Sequence, residues 1–167
     1  MKKTYRVLFL GVFIIMFILT GCGSDSPAPV VNTSIVNYND AWNKLEKGDI
    51  SDSAVLFNQI LQNESDEQLI NEAKVGLSLI NLSSEPKDIT KAQTYLEEVF
   101  SYSYDTVYQP YYNENVDNGD ARAMLAMTYM LQGDTEKFNT NLNLARQFSD
   151  SSYDTKNMID SLLELLN

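Results

Sequence analysis

The chain has 167 residues, and 12 basic against 23 acidic residues leave a formal net charge of −11. That balance argues against nucleic acid, which is held by a cationic surface, and against docking on anionic lipid through a basic patch. With no histidine, and Cys22 as the only cysteine, no disulfide, thiol–imidazole pair or His/Cys zinc site forms within one chain.

Met1 to Arg6 carries three basic residues, and Val7 to Leu19 is an unbroken run of apolar residues and Gly11. The run is short of the ~20 residues a spanning helix needs, and suits the apolar core of a secretory signal. Leu19-Thr20-Gly21-Cys22 follows it and resembles the lipobox of bacterial lipoproteins. The resemblance implies a signal peptide over 1–21, cleavage before Cys22, and a diacylglycerol on the cysteine sulfur, with acyl chains such as palmitate. Two or more such chains make a stable membrane anchor where one is marginal. Loss of the leader leaves nine basic against 23 acidic residues, a net charge of −14. Gly23 follows the cysteine where an aspartate would favour inner-membrane retention, which leans towards the outer membrane in a Gram-negative cell. A Gram-positive source would place the chain on the outer face of its plasma membrane.

Residues 22–34 hold the lipidated cysteine and a tether. Pro27 and Pro29 lie among small polar residues without helical period, the pattern of a flexible or polyproline-like spacer. At ~3.4 Å per residue it reaches roughly 40 Å.

From Ile35 a helical period begins, with Tyr38, Ala41, Trp42 and Leu45 on one face. Gly48-Asp49 breaks it, Ser51 or Asp52 is placed to cap the return helix, and Phe57, Ile60 and Leu61 form that helix's apolar face. Ser53 stands where a small alanine would ease helix contact, with Ala54 beside it. A second pair follows. Ser65-Asp66-Glu67-Gln68 reads as a capping box, and Leu69, Ala73, Gly76, Leu77, Leu79 and Ile80 form the next face, Gly76 permitting close approach. Pro86 stops this helix within Ser83-Ser84-Glu85-Pro86. Asp88 or Thr90 starts its return, which carries Ala92, Leu96 and Val99.

Residues 102–117 form a tyrosine-rich insertion holding Tyr102, Tyr104, Tyr108, Tyr111 and Tyr112. Tyr104, Tyr108 and Tyr111 or Tyr112 fit one helix face, whereas Tyr102 and Tyr104 alternate as in a strand. Such side chains either pack over the neighbouring helices or form a contact surface, since they bury much area at little cost in rotamer entropy. Asn113, Asn115 and Asp117 fall on alternate positions as calcium ligands do, but position six is Asn118 rather than glycine and no glutamate stands at position twelve. No metal site is expected.

The third pair is the clearest. Ala121, Met124, Leu125 and Tyr129 share a face, Met127, Met130 and Leu131 extend it around the helix, and Gly133-Asp134 makes the turn. Phe138, Leu142 and Ala145 return. Beyond it, Met158, Ile159, Leu162, Leu163, Leu165 and Leu166 outline a capping helix over 152–166, or a helical dimer contact.

Leu125-Ala126, Tyr129, Gly133-Asp134, Phe138, Leu142 and Ala145 resemble one tetratricopeptide repeat, a unit of about 34 residues. Gly48, Asp49, Phe57 and Ile60 resemble it again. The proline usual at the end of each unit is absent, and the Gly48 and Gly133 turns are 85 residues apart rather than two periods, so the chain is tetratricopeptide-like. The resemblance implies an all-α fold: a right-handed solenoid of about three antiparallel helix pairs (units near 35–64, 65–101 and 118–148), with the capping helix last. It also implies that the first helix of each pair lines a concave groove. That groove would present Tyr38, Trp42 and Leu45, then Lys74, Leu77 and Asn81, then Ala123, Met127 and Met130, an adaptable surface for an apolar peptide or helix. These side chains have a second reading, as core.

The usual catalytic triads are absent. The carboxylates fall on predicted helix exteriors, adjacent Glu97 and Glu98 point apart, and no glycine-rich phosphate loop exists. The expectation is a non-enzymatic, lipid-anchored adaptor of the cell envelope without a cofactor beyond its covalent lipid, binding a protein or peptide and not nucleic acid. The alternative expectation is a surface lipoprotein holding a small ligand or glycan on Trp42 and the tyrosine-rich insertion.

Overall fold

The computed structural model describes residues 33–112 and 116–148. Cys22, the tether before Thr33, and the expected capping helix over 152–166 lie outside the described residues. A boundary between compact units falls after Val31, and every described residue belongs to the unit Asn32–Asn167.

The described residues form six helices and no strand: α1 (Thr33–Glu46), α2 (Ile50–Asn63), α3 (Glu67–Ser83), α4 (Ile89–Val99), α5 (Asn118–Leu131) and α6 (Thr135–Phe148). Each packs on its chain neighbours. In addition α1 touches α3 and α3 touches α5, whereas α2, α4 and α6 touch only the helices next to them in sequence.

Three helices end in the same way. Gly48 and Gly133 take φ of +82° and +81°. In each case the next residue's amide returns to a carbonyl five residues back, Asp49 to Lys44 and Asp134 to Tyr129, both at 2.9 Å. With the glycine's own amide bonding three residues back, Gly48 to Leu45 and Gly133 to Met130, both at 3.0 Å, this double closure satisfies carbonyls that a helix end otherwise leaves bare. The third instance ends α4 without a glycine: Ser101 has φ +50°, and Tyr102 N donates to Glu97 O at 2.8 Å.

The starts differ from two expectations. Asp66, not Ser65, caps α3, accepting from Gln68 N and Leu69 N; its side chain is one residue nearer the amides that need it, and the Gln68 side chain is used elsewhere. Ser51 and Asp52 lie inside α2, preceded by Asp49 at the cap position; Asp52 instead meets Lys44 at 2.9 Å. The remaining caps follow the sequence: Asp88 accepts from Lys91 N, and Asp134 from Lys137 N. Asp117, one of the alternating oxygen residues considered for calcium, forms a reciprocal capping box with Asp120 on α5.

The main apolar core runs from Tyr38 and Trp42 through Phe57, Leu69, Leu77 and Leu96 to Met124 and Tyr129, and Ala123, Ala126, Leu142 and Ala145 form a smaller cluster between α5 and α6. Gly76 lies against the distal end of the Phe57 ring. A Cβ there would sit 2.5 to 2.9 Å from three ring atoms, so α2 and α3 approach as closely as they do because Gly76 has no side chain. Ser53 is fully buried at the α1–α2 contact, where its hydroxyl donates to Ala41 O at 2.8 Å.

Candidate functional site

The tyrosine-rich segment 101–112 is neither helix nor strand. Pro110 has no N–H to give, and from Ser103 onward several carbonyls and amides of this backbone are taken by side chains of α3 and α5. The segment is a strap stitched down along its length. At one end Arg122 Nη2 donates to the carbonyls of Ser103, Tyr104 and Thr106 at 2.9, 3.1 and 2.8 Å. In the middle Asn118 Oδ1 accepts from Tyr108 N at 2.7 Å, and Gln68 Nε2 donates to Gln109 O at 2.6 Å. At the far end the Glu72 carboxylate accepts from Tyr111 N at 2.6 Å and Tyr112 N at 3.0 Å. The Tyr112 hydroxyl donates to Asp66 at 2.8 Å.

Glu72 and Arg122 are both charged and both buried, at 0% and 1% exposure. Burying a charge is costly unless hydrogen bonds replace its hydration. Glu72 also accepts from the Tyr38 hydroxyl at 2.7 Å and from Gln68 Nε2 at 3.1 Å. Arg122 also donates to Asn141 Oδ1 at 3.1 Å, and its guanidinium stacks over Phe100, 3.6 Å from the ring centroid. Burial pulls the Arg122 pKa down to about 10.

The surrounding phenols are shifted the other way. Burial, and then the Glu72 carboxylate, pushes Tyr38 and Tyr108 well above the usual tyrosine value. Burial and the Glu97 hydrogen bond do the same to Tyr129. Tyr112 is pushed up to about 12, chiefly by its bond to Asp66.

The groove residues divide by burial. Tyr38, Leu77 and Ala123 are enclosed in the cores between the helices, and Trp42, at 8% exposure, packs edge-on against Tyr38 and Phe57. These four have little side-chain surface to give a groove occupant: Tyr38, Trp42 and Leu77 belong to the main core, and Ala123 to the smaller cluster with Ala126, Leu142 and Ala145. Leu45, Lys74, Asn81, Met127 and Met130 are half-buried, and Lys74 is engaged with Glu98 at 3.0 Å.

The tyrosines divide as well. They share neither a helix face nor a strand face, since the segment is irregular. Tyr108 is buried, Tyr112 half-buried, and Tyr102, Tyr104 and Tyr111 project at 70%, 47% and 77% exposure. Tyr111 and Tyr112 stack edge to face at 4.9 Å beside an open depression of about 390 Å³ that also includes Gln109, Asp66 and Gln68. Among the described residues no cluster of three or more acidic, cysteine or histidine side chains is placed to hold a metal, and no helix is long and apolar enough to cross a membrane.

Sequence reasoning missed Glu72 and Arg122. Both carried a signal. Glu72 falls on the apolar face of Leu69, Ala73 and Gly76, and Arg122 is the only charge from Ala121 to Leu131. A charge on a buried face requires partners, although neither residue's position in the sequence says where they lie.

No protein-family model, no curated protein and no solved structure matches the chain.

Proposed function

We propose that the chain is a lipid-anchored, non-catalytic helical-repeat adaptor of the bacterial cell envelope, carried on Cys22 and binding a protein or peptide partner along the first helices of its three pairs. The observation that carries the repeat reading is the contact order: α1 reaches α3 and α3 reaches α5, while the second helices reach only their chain neighbours. An array whose first helices lie closer together curves towards them, as a right-handed solenoid with a concave inner face does. The half-buried Asn81, Met127 and Met130 supply its adaptable surface. The lipobox over Leu19 to Cys22 supplies the address, with the outer membrane as the site in a Gram-negative cell.

Two measurements test this. Labelled palmitate should enter the full-length chain in its native host and be lost in Cys22→Ser. A photo-crosslinking residue at Met130 should capture one defined envelope protein that the same residue at Val55, exposed on α2, does not. Absence of label overturns the anchor; equal capture from both positions, or none, overturns the groove.

The exposed Tyr111 beside the depression at Asp66 and Gln68 favours a second reading, in which a glycan or other small ligand stacks there. Trp42, nearly enclosed, has little face to contribute.

A further inference from the structure

A separate cavity of about 180 Å³ opens between α4, the start of the strap, α5 and α6. It is smaller than the roughly 300–1,000 Å³ of drug-sized ligand sites, the scale of a single small metabolite. Phe100, Leu125, Tyr102, Tyr104 and Tyr129 give it an apolar and aromatic part, beside the polar Ser103 and Asn141. Tyr102 reaches the rim from a left-handed backbone, φ +53°, directly after the left-handed Ser101. Two such residues in succession are held against their own preference, a form of strain that concentrates at ligand sites.

The charges in this cavity are arranged in an unusual way for so acidic a chain. Arg122 lies in its lining, buried, with no carboxylate within ion-pair distance among the described residues. Its Nε has no hydrogen-bond partner. Lys137, exposed, also lines it, 5.0 Å from the Tyr129 ring centroid and 3.8 Å from Asp134. Glu97 faces them. Its Oε1 accepts from Tyr129 Oη at 2.6 Å and Gln93 Nε2 at 2.9 Å, while Oε2 enters neither bond.

One small cavity thus offers a buried positive field, an exposed ammonium, a carboxylate oxygen outside those two bonds and an apolar wall. A simple anion would use the cations but meet Glu97 and the repulsion of the chain's whole negative charge. A simple cation would meet Arg122. A neutral zwitterion meets neither penalty and uses all three groups.

We propose that this cavity binds a free α-amino acid with an apolar side chain. Its carboxylate lies towards Lys137 within the field of Arg122, its ammonium towards Glu97 Oε2, and its side chain against Phe100, Leu125 and Tyr104.

Calorimetric titration of the full-length chain with L-leucine and L-phenylalanine, and with phenylacetate and phenethylamine as single-charge analogues, tests it. At least one amino acid should bind, with each analogue weaker by about tenfold or more, the loss expected for one charge-assisted hydrogen bond. Lys137→Met, at an exposed position, should weaken the amino acid and phenylacetate but leave phenethylamine unchanged; Glu97→Gln should do the converse. Binding of neither amino acid, equal binding of all probes, or indifference to both substitutions would overturn the proposal. Amide chemical-shift changes centred away from Phe100 to Thr106 would overturn its location.

Discussion

The Tyr38 hydroxyl on α1 donates to the Glu72 carboxylate on α3 across 34 residues of chain, at 2.7 Å and out of contact with solvent. The bond joins the first helices of successive pairs, and the same carboxylate holds the Tyr111 and Tyr112 amides. Glu72→Gln replaces one acceptor oxygen by a donor facing donors, so at least one buried N–H or O–H is left unpaired. A loss of about 2–4 kcal/mol is expected. Tyr38→Phe removes a single donor and leaves the amides in place, so its cost should be smaller, about 1.5–3 kcal/mol. Urea denaturation of the two variants checks the order; the reverse order would remove Glu72 from the centre of the network.

Gly76→Ala sets two effects against each other. Alanine favours the helix by about 1 kcal/mol, but its Cβ would meet the rigid Phe57 ring at 2.5 Å, and overpacking of that kind costs about 1–3 kcal/mol. The clash is with three atoms of a ring enclosed by Tyr38 and Trp42, which has nowhere to turn, so net destabilisation is expected. Combining the change with Phe57→Leu should recover part of the loss. Thermal melts of both single variants and the double variant give the coupling directly.

The three matching helix ends predict opposite outcomes for two small substitutions. Gly133→Ala meets no neighbouring atom within 4 Å, so its cost is purely that of a left-handed alanine, about 1 kcal/mol. Ser101→Gly places the residue the geometry favours where the chain has none, and should stabilise by up to about 1 kcal/mol. Denaturation midpoints moving in the same direction would contradict the shared closure.

Alkali should unfold the domain through its phenols. Tyr38, Tyr108, Tyr112 and Tyr129 hold their protons more tightly folded than unfolded. Their contribution is complete below the unfolded value near 10 and is lost as pH rises above it, because the unfolded chain then releases protons that the folded one keeps. Arg122, lowered to about 10, acts in the opposite sense over the same range, as its buried charge is relieved. Four groups against one give a net fall. Ultraviolet titration of tyrosinate should show these phenols ionising together with unfolding, not before it.

The helix pairs were legible because each carries its own local evidence: Gly48 and Gly133 at turns, Pro86 at a break, Asp88 and Asp134 at caps, and apolar faces repeating at helical intervals. The cap on α3 was misread by one residue, since Ser65 and Asp66 are both good caps and only the geometry of the preceding turn chooses. Tyr38 and Trp42 have the same spacing whether they face a groove or a neighbouring helix, and periodicity cannot separate those cases. The strap was illegible for a different reason. Its conformation is set by Glu72 and Arg122, 39 and 16 residues away from Tyr111 and Thr106, and no local rule reads a partner at that distance.

The two buried charges also set an order of events. Each helix pair closes a short loop and meets mainly chain neighbours, so it forms early at small entropic cost. Glu72 can receive the Tyr111 and Tyr112 amides only after α3 is in place, and Arg122 can gather its three carbonyls only after α5 is. The strap is therefore expected to close after α3 and α5 and to open before them. In native-state hydrogen exchange, the amides of Tyr108, Tyr111 and Tyr112 should exchange by a sub-global opening that leaves α3 and α5 protected.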